Sequence, residues 1–221
     1  MDYREAAALR HSVRTYTGKQ IEGSVAEALR REIATINEES GLHIQLVVDE
    51  PKAFGGFMAH YGSFKGVNDY VALIGKDDEY LDEKCGYYGQ RLVLLAQTLG
   101  LNSCWVYLTF KKVKSAFSVA PGEKLCLVIA IGYGATQGTP HKDKPIEKLA
   151  ATLPDDPTWY REGIRGAMLA PTAINQQKFF ISRDGDLVNI KALNGPCSKI
   201  DLGIVKYNFE LFAGKENFRF S

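Results

Sequence analysis

Between Tyr80 and Leu99, apolar residues stand at 81, 85, 88, 92, 95 and 99, in alternating steps of four and three, and Gly100 follows as a C-terminal stop. Within that stretch Leu92-Val93-Leu94-Leu95-Ala96 is apolar on nearly every side of a helix, so the helix has to run through the interior as a buried pillar. A chain with such a helix must wrap other elements around it. With 221 residues, 45% hydrophobic and 24% charged, it has the apolar side chain to do so, which excludes global disorder and collagen-like repeats. The length suits one intertwined unit, or one domain with a smaller appendage.

Helix and strand are mixed from the start. Ser24 and Glu27 have the spacing of a capping box, and Val25, Ala28, Leu29, Ile33 and Ile36 continue at helical spacing to Gly41. Ile44–Val48 and Tyr70–Ile74 read as strands, as does the continuous apolar run Leu125–Ile131, which is ended by Gly132-Tyr133-Gly134. Lys111–Val119 reads as a short helix stopped by Pro121-Gly122. Ala135–Asp156 shifts to Thr, Gly, Pro and Lys and reads as a long surface connector. Beyond it the helix Tyr160–Leu169 leads to a strand at Lys178–Ile181. A turn at Arg183–Asp186 and a strand at Leu187–Ile190 follow, and then a helix whose apolar face is Leu202, Val205, Phe209 and Phe212. This echoes the helix-then-strand order of the first half, so an internal duplication is expected, divided as residues 1–150 and a shorter half at 151–221.

Charge and cysteine content exclude several function classes. With 27 Lys+Arg against 26 Asp+Glu, nothing favours a nucleic-acid partner. No apolar run approaches the ~20 residues needed to span a bilayer, and Met1-Asp2-Tyr3-Arg4-Glu5 lacks the features of a secretory signal, so a cytoplasmic protein is expected. Cys85, Cys104, Cys126 and Cys197 form no CxxC pair, and no metal site is expected.

Two clusters carry chemistry. Arg10-His11-Ser12-Val13-Arg14, at the end of a helix beginning near Tyr3, places two guanidiniums, a hydroxyl and an imidazole within five residues. Arginine forks pair bidentately with phosphate and a serine hydroxyl can donate to a phosphate or ribityl oxygen, although cations at a helix end are also favoured by its dipole alone. Ala170-Pro171-Thr172-Ala173-Ile174-Asn175-Gln176-Gln177 offers amides and a hydroxyl that suit the edge of a heterocycle, or equally a turn that satisfies its own backbone.

With Leu99-Gly100-Leu101-Asn102-Ser103-Cys104-Trp105-Val106 and Ile131-Gly132-Tyr133-Gly134 between them, these segments resemble the flavin-dependent nitroreductase family. The basic run resembles its N-terminal signature. Ala170–Gln177 resembles its Ala-Pro-Ser-x-x-Asn-x-Gln loop, with Thr172 in place of Ser. In that family the loop usually follows soon after the basic run; here it stands in the second half, and no second Arg-x-Ser-x-Arg run occurs after residue 150. The resemblance therefore implies the subgroup with two degenerate tandem copies. Its fold would be α+β and nitroreductase-like, with a central mixed or antiparallel sheet flanked by helices and a long buried central helix. The chain would be a single-chain pseudo-dimer with one flavin site built across its halves, with further association into a homodimer left open.

The resemblance further implies that Arg10, Ser12 and Arg14 bind the phosphate and ribityl chain of FMN, with His11 contributing by backbone or ring. Lys142 and Lys144 match a basic stretch that meets the same phosphate, or serve solubility. Pro171, Thr172, Ala173 and Asn175 would contact ring or ribityl, and the backbone at Tyr107 and Leu108 the N5 and O4 side. Lys65 and Asn68 are weaker candidates for the pyrimidine edge. NADH or NADPH would deliver hydride to flavin N5, and a small electron-poor acceptor, a nitroaromatic or quinone, would take the electrons, with Tyr61, Phe64, Tyr107 and Phe110 as walls of its pocket or as core. No side-chain acid or base is assigned. The alternatives are a flavin-holding or sensing protein that does not turn over and a Rossmann-type binder using Gly132, Gly134 and Gly138, whose spacing is one residue too long for GxGxxG.

Overall fold

Two apolar strands lie at the middle of one sheet. β2 (Asp69–Lys76) is buried at every position but its last, and β4 (Glu123–Gly132) is buried from Leu125 onward. Strands buried in unbroken runs need cover on both faces, which is why they read as continuous rather than alternating. They pair antiparallel, flanked by β1 (Gln45–Val47) and β3 (Asn102–Val106), in the order β1-β2-β4-β3. This computed structural model describes all 221 residues, apart from the side chains of Met58 and Ala59.

The chain forms two units. One comprises Leu9–Leu81 and Leu92–Thr139; the other comprises Met1–Ala8, Asp82–Arg91 and Pro140–Ser221. The first holds the four-stranded sheet, with helices α2 (Gly23–Ser40) and α3 (Phe57–Tyr61). Tyr70, Ala72, Ile74, Val128, Ala130, Cys104 and Val106 alternate along their strands and pack on Phe54, Phe64 and Phe110. Phe54 meets Phe64 edge-on at 5.1 Å between centroids and lies stacked with Phe110 at 6.3 Å.

The second unit holds the three-stranded sheet β5 (Phe179–Asp184), β6 (Leu187–Ala192) and β7 (Arg219–Phe220), the first two joined by the two-residue turn Gly185-Asp186. With it go α5 (Thr158–Met168), α6 (Ser198–Ala213) and most of α1 (Tyr3–Leu9). The long helix α4 (Leu81–Thr98) gives Asp82–Arg91 to this unit and its remaining turns to the other. It is buried along its length as expected, at Cys85, Gln90, Leu92, Val93, Leu94 and Ala96. Inside the second unit α4 and α6 cross with glycine against glycine: a Cβ on Gly86 would strike the Ile200 carbonyl, and one on Gly203 the Glu83 carbonyl. The polar groups buried there are paired, Gln90 Nε2 donating to Asn208 Oδ1 at 3.0 Å and Asn208 Nδ2 to the Gly166 carbonyl at 3.1 Å.

Three expectations are corrected. Lys111–Val119 is not helical. Its apolar side chains Val113, Ala116 and Phe117 pack on the sheet core from turns, while the Lys111 N–H is drawn to the Ala53 carbonyl and the Ser118 N–H to Gln45 Oε1. The Ser24–Glu27 capping box does not form, because α2 begins two residues earlier than that box requires, with Glu22 at its N-cap and no side-chain cap bond. Asn102–Val106 and Arg219–Phe220, not expected as strands, are β3 and β7. Among the described residues no helix is long and apolar enough to cross a membrane.

The crossing predicts that Gly203→Ala costs about 2–3 kcal/mol in denaturant unfolding, because the backbone it meets cannot rotate away. Ser24→Ala, which removes no cap bond, should change stability by less than about 0.5 kcal/mol.

Candidate flavin-phosphate site

Residues 12–17 follow α1 as an extended segment whose backbone is paired on both sides. Val13 N–H donates to the Ser103 carbonyl of β3 at 3.0 Å, Lys65 N–H to the Arg14 carbonyl and Tyr16 N–H to that of Lys65, both at 2.9 Å. On the edge that Ser103 shares, Thr17 N–H donates to the Tyr133 carbonyl and Ala135 N–H to that of Thr15. Extended geometry sends Val13 to the core and leaves Ser12 and Arg14 exposed on the opposite side. The approach is close enough to demand glycine twice. A Cβ on Gly66 would overlap the Tyr16 carbonyl, and one on Gly138, at φ +72°, would lie 2.8 Å from His11 Cβ and 3.0 Å from the Ser12 carbonyl.

Arg10 is the unusual member of the run. It is only 3% exposed, and its Nε and Nη1 are buried without any hydrogen-bond partner. Burial pulls its pKa down to about 10, so it stays protonated at neutral pH. The Cys104 thiol lies beside it, hydrogen-bonded with Ser12 and within the fields of Arg14 and Arg10, yet burial dominates and pushes that thiol up, leaving it neutral. Arg10 therefore keeps its charge while two of its buried nitrogens lack a hydrogen-bond partner.

The structure thus brings Arg10, Ser12 and Arg14 around Cys104, with His11 half-buried under Gly138. Lys65 joins them through its backbone. Asn68 Nδ2 donates to the Gly18 carbonyl at 3.4 Å, and Tyr107 and Leu108 emerge exposed after β3. Of the expected pocket walls, Phe64 and Phe110 are core, whereas Tyr61 and Tyr107 are exposed. Cys104 and Asn102 carried no assigned role in the sequence. Asn102 orders the loop leading to Gly138, accepting from Gly134 N–H at 3.1 Å and donating to Gln137 Oε1 at 3.0 Å.

In the other unit the second cluster forms a network of its own. Ile174, Asn175 and Gln177 all take left-handed backbone at φ 48°, 53° and 42°, a strained choice for a β-branched residue, and Ile174 is 89% exposed. Two anchors hold this shape. On one side Lys144 Nζ donates to the Gln176 and Gln177 carbonyls, while Asn175 Nδ2 and Gln177 Nε2 both donate to the Lys142 carbonyl. On the other the buried carboxylate of Asp201 accepts from Ala173 N–H at 2.9 Å and Gln176 Nε2 at 2.7 Å. The Thr172 hydroxyl accepts from Gln177 N–H at 3.0 Å, and Pro171 precedes it at the end of α5. The Lys144 ammonium is thus committed to loop carbonyls. Asp201, missed in the sequence, was visible only as an acid among Ile200, Ile204 and Val205 on an apolar helix face. Desolvation raises its pKa to about 6 despite the bonds it accepts.

An antiparallel sheet beside a long buried helix, with a basic run packed on the sheet's edge, defines a nitroreductase-like α+β protein. The chain belongs to the family described as "Putative TM nitroreductase", which matches residues 2–213. No curated protein matches its sequence. It is similar in fold to the "putative nitroreductase" of Thermotoga maritima, at 21% identity and a TM-score of 0.70 over 98% of this chain and 85% of that one. It also resembles the "Putative NADH dehydrogenase/NAD(P)H nitroreductase" of Parabacteroides distasonis (20%, TM-score 0.53, 67% and 97% covered). A third is a nitroreductase-like protein of Streptococcus mutans (12%, TM-score 0.54, 69% and 98% covered).

Two outcomes are expected. Arg10→Met removes an uncompensated buried charge, so the ligand-free protein should gain about 1–3 kcal/mol in urea unfolding while inorganic phosphate and FMN no longer stabilise it. Asp201, with its folded pKa raised above the unfolded value near 3.8, favours the fold most below that value. Its contribution is lost as pH rises through about 6, by at most about 3 kcal/mol. Urea unfolding of wild type against Asp201→Asn at pH 4 and pH 8 should show that slope only in the wild type.

Proposed function

We propose that this protein is an FMN-dependent oxidoreductase that takes electrons from NADH or NADPH and passes them to an electron-poor small molecule of the nitroaromatic or quinone type. The observation that carries this reading is Arg10: a buried, protonated guanidinium with two unbonded nitrogens fits a group that brings a dianionic phosphate. Family membership points the same way, and the Parabacteroides distasonis protein carries NAD(P)H in its name.

Bound FMN would supply the redox chemistry. The chain's own part is to hold and polarise it. Arg10 would anchor the phosphate from inside, Arg14 from the exposed rim, and the Ser12 hydroxyl would donate to a phosphate or ribityl oxygen, with His11 beside them. The backbone at Tyr107 and Leu108 would present donors where negative charge develops on reduction. Lys65 and Asn68 are proposed for the pyrimidine edge. Pro171, Thr172, Ala173 and Asn175 are proposed as ring and ribityl contacts, their strained loop fixed beforehand by Lys142, Lys144 and Asp201. We also propose that the chain carries two degenerate copies of one pattern and acts as a single-chain pseudo-dimer, since α2 then β1 is matched by α5 then β5, and α4 by α6.

The purified protein, given FMN and desalted, should keep a visible flavin band that NADPH or NADH bleaches anaerobically. Arg14→Ala should weaken FMN binding by about 1–3 kcal/mol, and Asn175→Ala should alter flavin retention or its redox behaviour. Retained flavin that neither nucleotide bleaches would indicate a binding or sensing role, and colourless protein would overturn the reading.

A further inference from the structure

Charge is distributed unevenly over this nearly neutral chain. Residues 51–68 and 107–122 hold five lysines and no aspartate or glutamate, where a proportionate share of the chain's 26 acids would be about four. The fold lays these two segments side by side in one unit. Lys111 N–H donates to the Ala53 carbonyl at 2.8 Å, the Phe110 ring stacks on Phe54, and a Cβ on Gly62 would lie 2.7 Å from the Thr109 side chain. Phe54, Phe64 and Phe110 take the inward positions.

What remains outside is basic and aromatic. Lys52, Lys111, Lys112 and Lys114 are exposed, and so are two rings on α3, Phe57 at 82% and Tyr61 at 79%. The acids that abut the two segments are engaged elsewhere: Glu50 accepts from the N–H groups of Lys52 and Ala53, Asp69 from Asp49 N–H, and Glu123 bonds with His43 and accepts from Ala120 N–H. Large exposed rings on a five-residue helix gain nothing for the fold, and lysines without acids between them repel one another. The combination suits a ligand that is at once planar and polyanionic: rings accept a stacked heterocycle, and ammonium groups accept phosphate.

We infer that the surface formed by α3 and residues 107–114 binds the adenosine end of the reductant, with Lys111, Lys112 and Lys114 taking a 2′-phosphate, so that NADPH is preferred over NADH. The inference rests on the proposed reductase function for its ligand. The choice of NADPH follows from charge: NADH offers these lysines only its pyrophosphate, whereas a 2′-phosphate adds nearly two further negative charges at neutral pH. Attraction between exposed charges is screened by salt, so the preference should shrink as ionic strength rises.

The test is calorimetric titration of the full-length protein, with and without added FMN, using adenosine 2′,5′-bisphosphate and 5′-AMP. Wild type should bind the bisphosphate on the order of 10-fold more tightly than 5′-AMP at low salt, and the variant carrying Lys111→Gln, Lys112→Gln and Lys114→Gln should bind the two alike. The three side chains are exposed, so the variant should melt as wild type does. In turnover the variant's KM for NADPH should rise by a similar factor and clearly more than its KM for NADH, which loses only the pyrophosphate attraction, with its flavin content unchanged. Equal binding of the two nucleotides by wild type, or equal loss of NADH and NADPH, would overturn the assignment, as would tighter binding of a single-stranded oligonucleotide than of the bisphosphate. Discrimination by a protein that takes up no FMN would uphold this site while refuting the reductase reading.

Discussion

A guanidinium withdrawn from water with two nitrogens unbonded costs the fold several kcal/mol, and much of the surrounding unit is arranged so that Arg10 cannot escape that position. The chain directly after it is paired along both edges, to Lys65 on one and to Ser103, Tyr133 and Ala135 on the other. Those bonds fix the chain from Val13 onward, three residues beyond Arg10. The neighbouring thiol offers no relief, because the burial that isolates the arginine also keeps Cys104 neutral. An anion from solution is the remaining source of compensation, and whatever supplies it stabilises the folded state by mass action.

The loop in the other unit stores its cost differently. There the penalty is backbone strain at Ile174, Asn175 and Gln177, and it is offset by a carboxylate and an ammonium that are themselves committed to the loop. Asp201 is burdened by desolvation, yet it accepts from both Ala173 N–H and Gln176 Nε2 and so pins the loop from beneath. The exposure of Ile174 is the result: a large apolar side chain held out in water by a rigid turn, a geometry that folding alone would not select.

The parts of the fold that follow a period were legible in sequence. The steps of three and four in α2, α4, α5 and α6, and the unbroken apolar runs of β2 and β4, report burial directly, because burial is what sets those patterns. Asn102–Val106 was not legible as a strand, since its side chains are mixed in polarity and it is paired on one edge by β4 and at its start by Ser12. Lys111–Val119 misled for the opposite reason: Val113, Ala116 and Phe117 repeat at helix-like spacing, but they are set by the sheet surface they cover rather than by a helix of their own. At the site, residue types in the basic run carried the chemistry, while the burial of Arg10 did not show, because arginine is usually exposed and nothing local in the sequence marks an exception. Asp201 and Gly138 were illegible because their roles depend on residues 28 and more than 120 positions away.

The thiol, phenol and carboxylate buried in and beside the two clusters are held in their neutral forms or committed to other bonds. The Cys104 thiol and the Tyr16 hydroxyl are both pushed up by burial, and the one carboxylate with a pKa near 6 is engaged on two donors beneath the loop. Residues so arranged serve to bind and orient. A protein built this way leaves bond-making to what it holds, so discrimination among reactants falls to its exposed surfaces, where a ring or an ammonium can be exchanged without disturbing the fold. The basic and aromatic face around α3 fits that division of labour: its lysines and rings contribute little to the core beneath them, and their value lies in what they attract from solution.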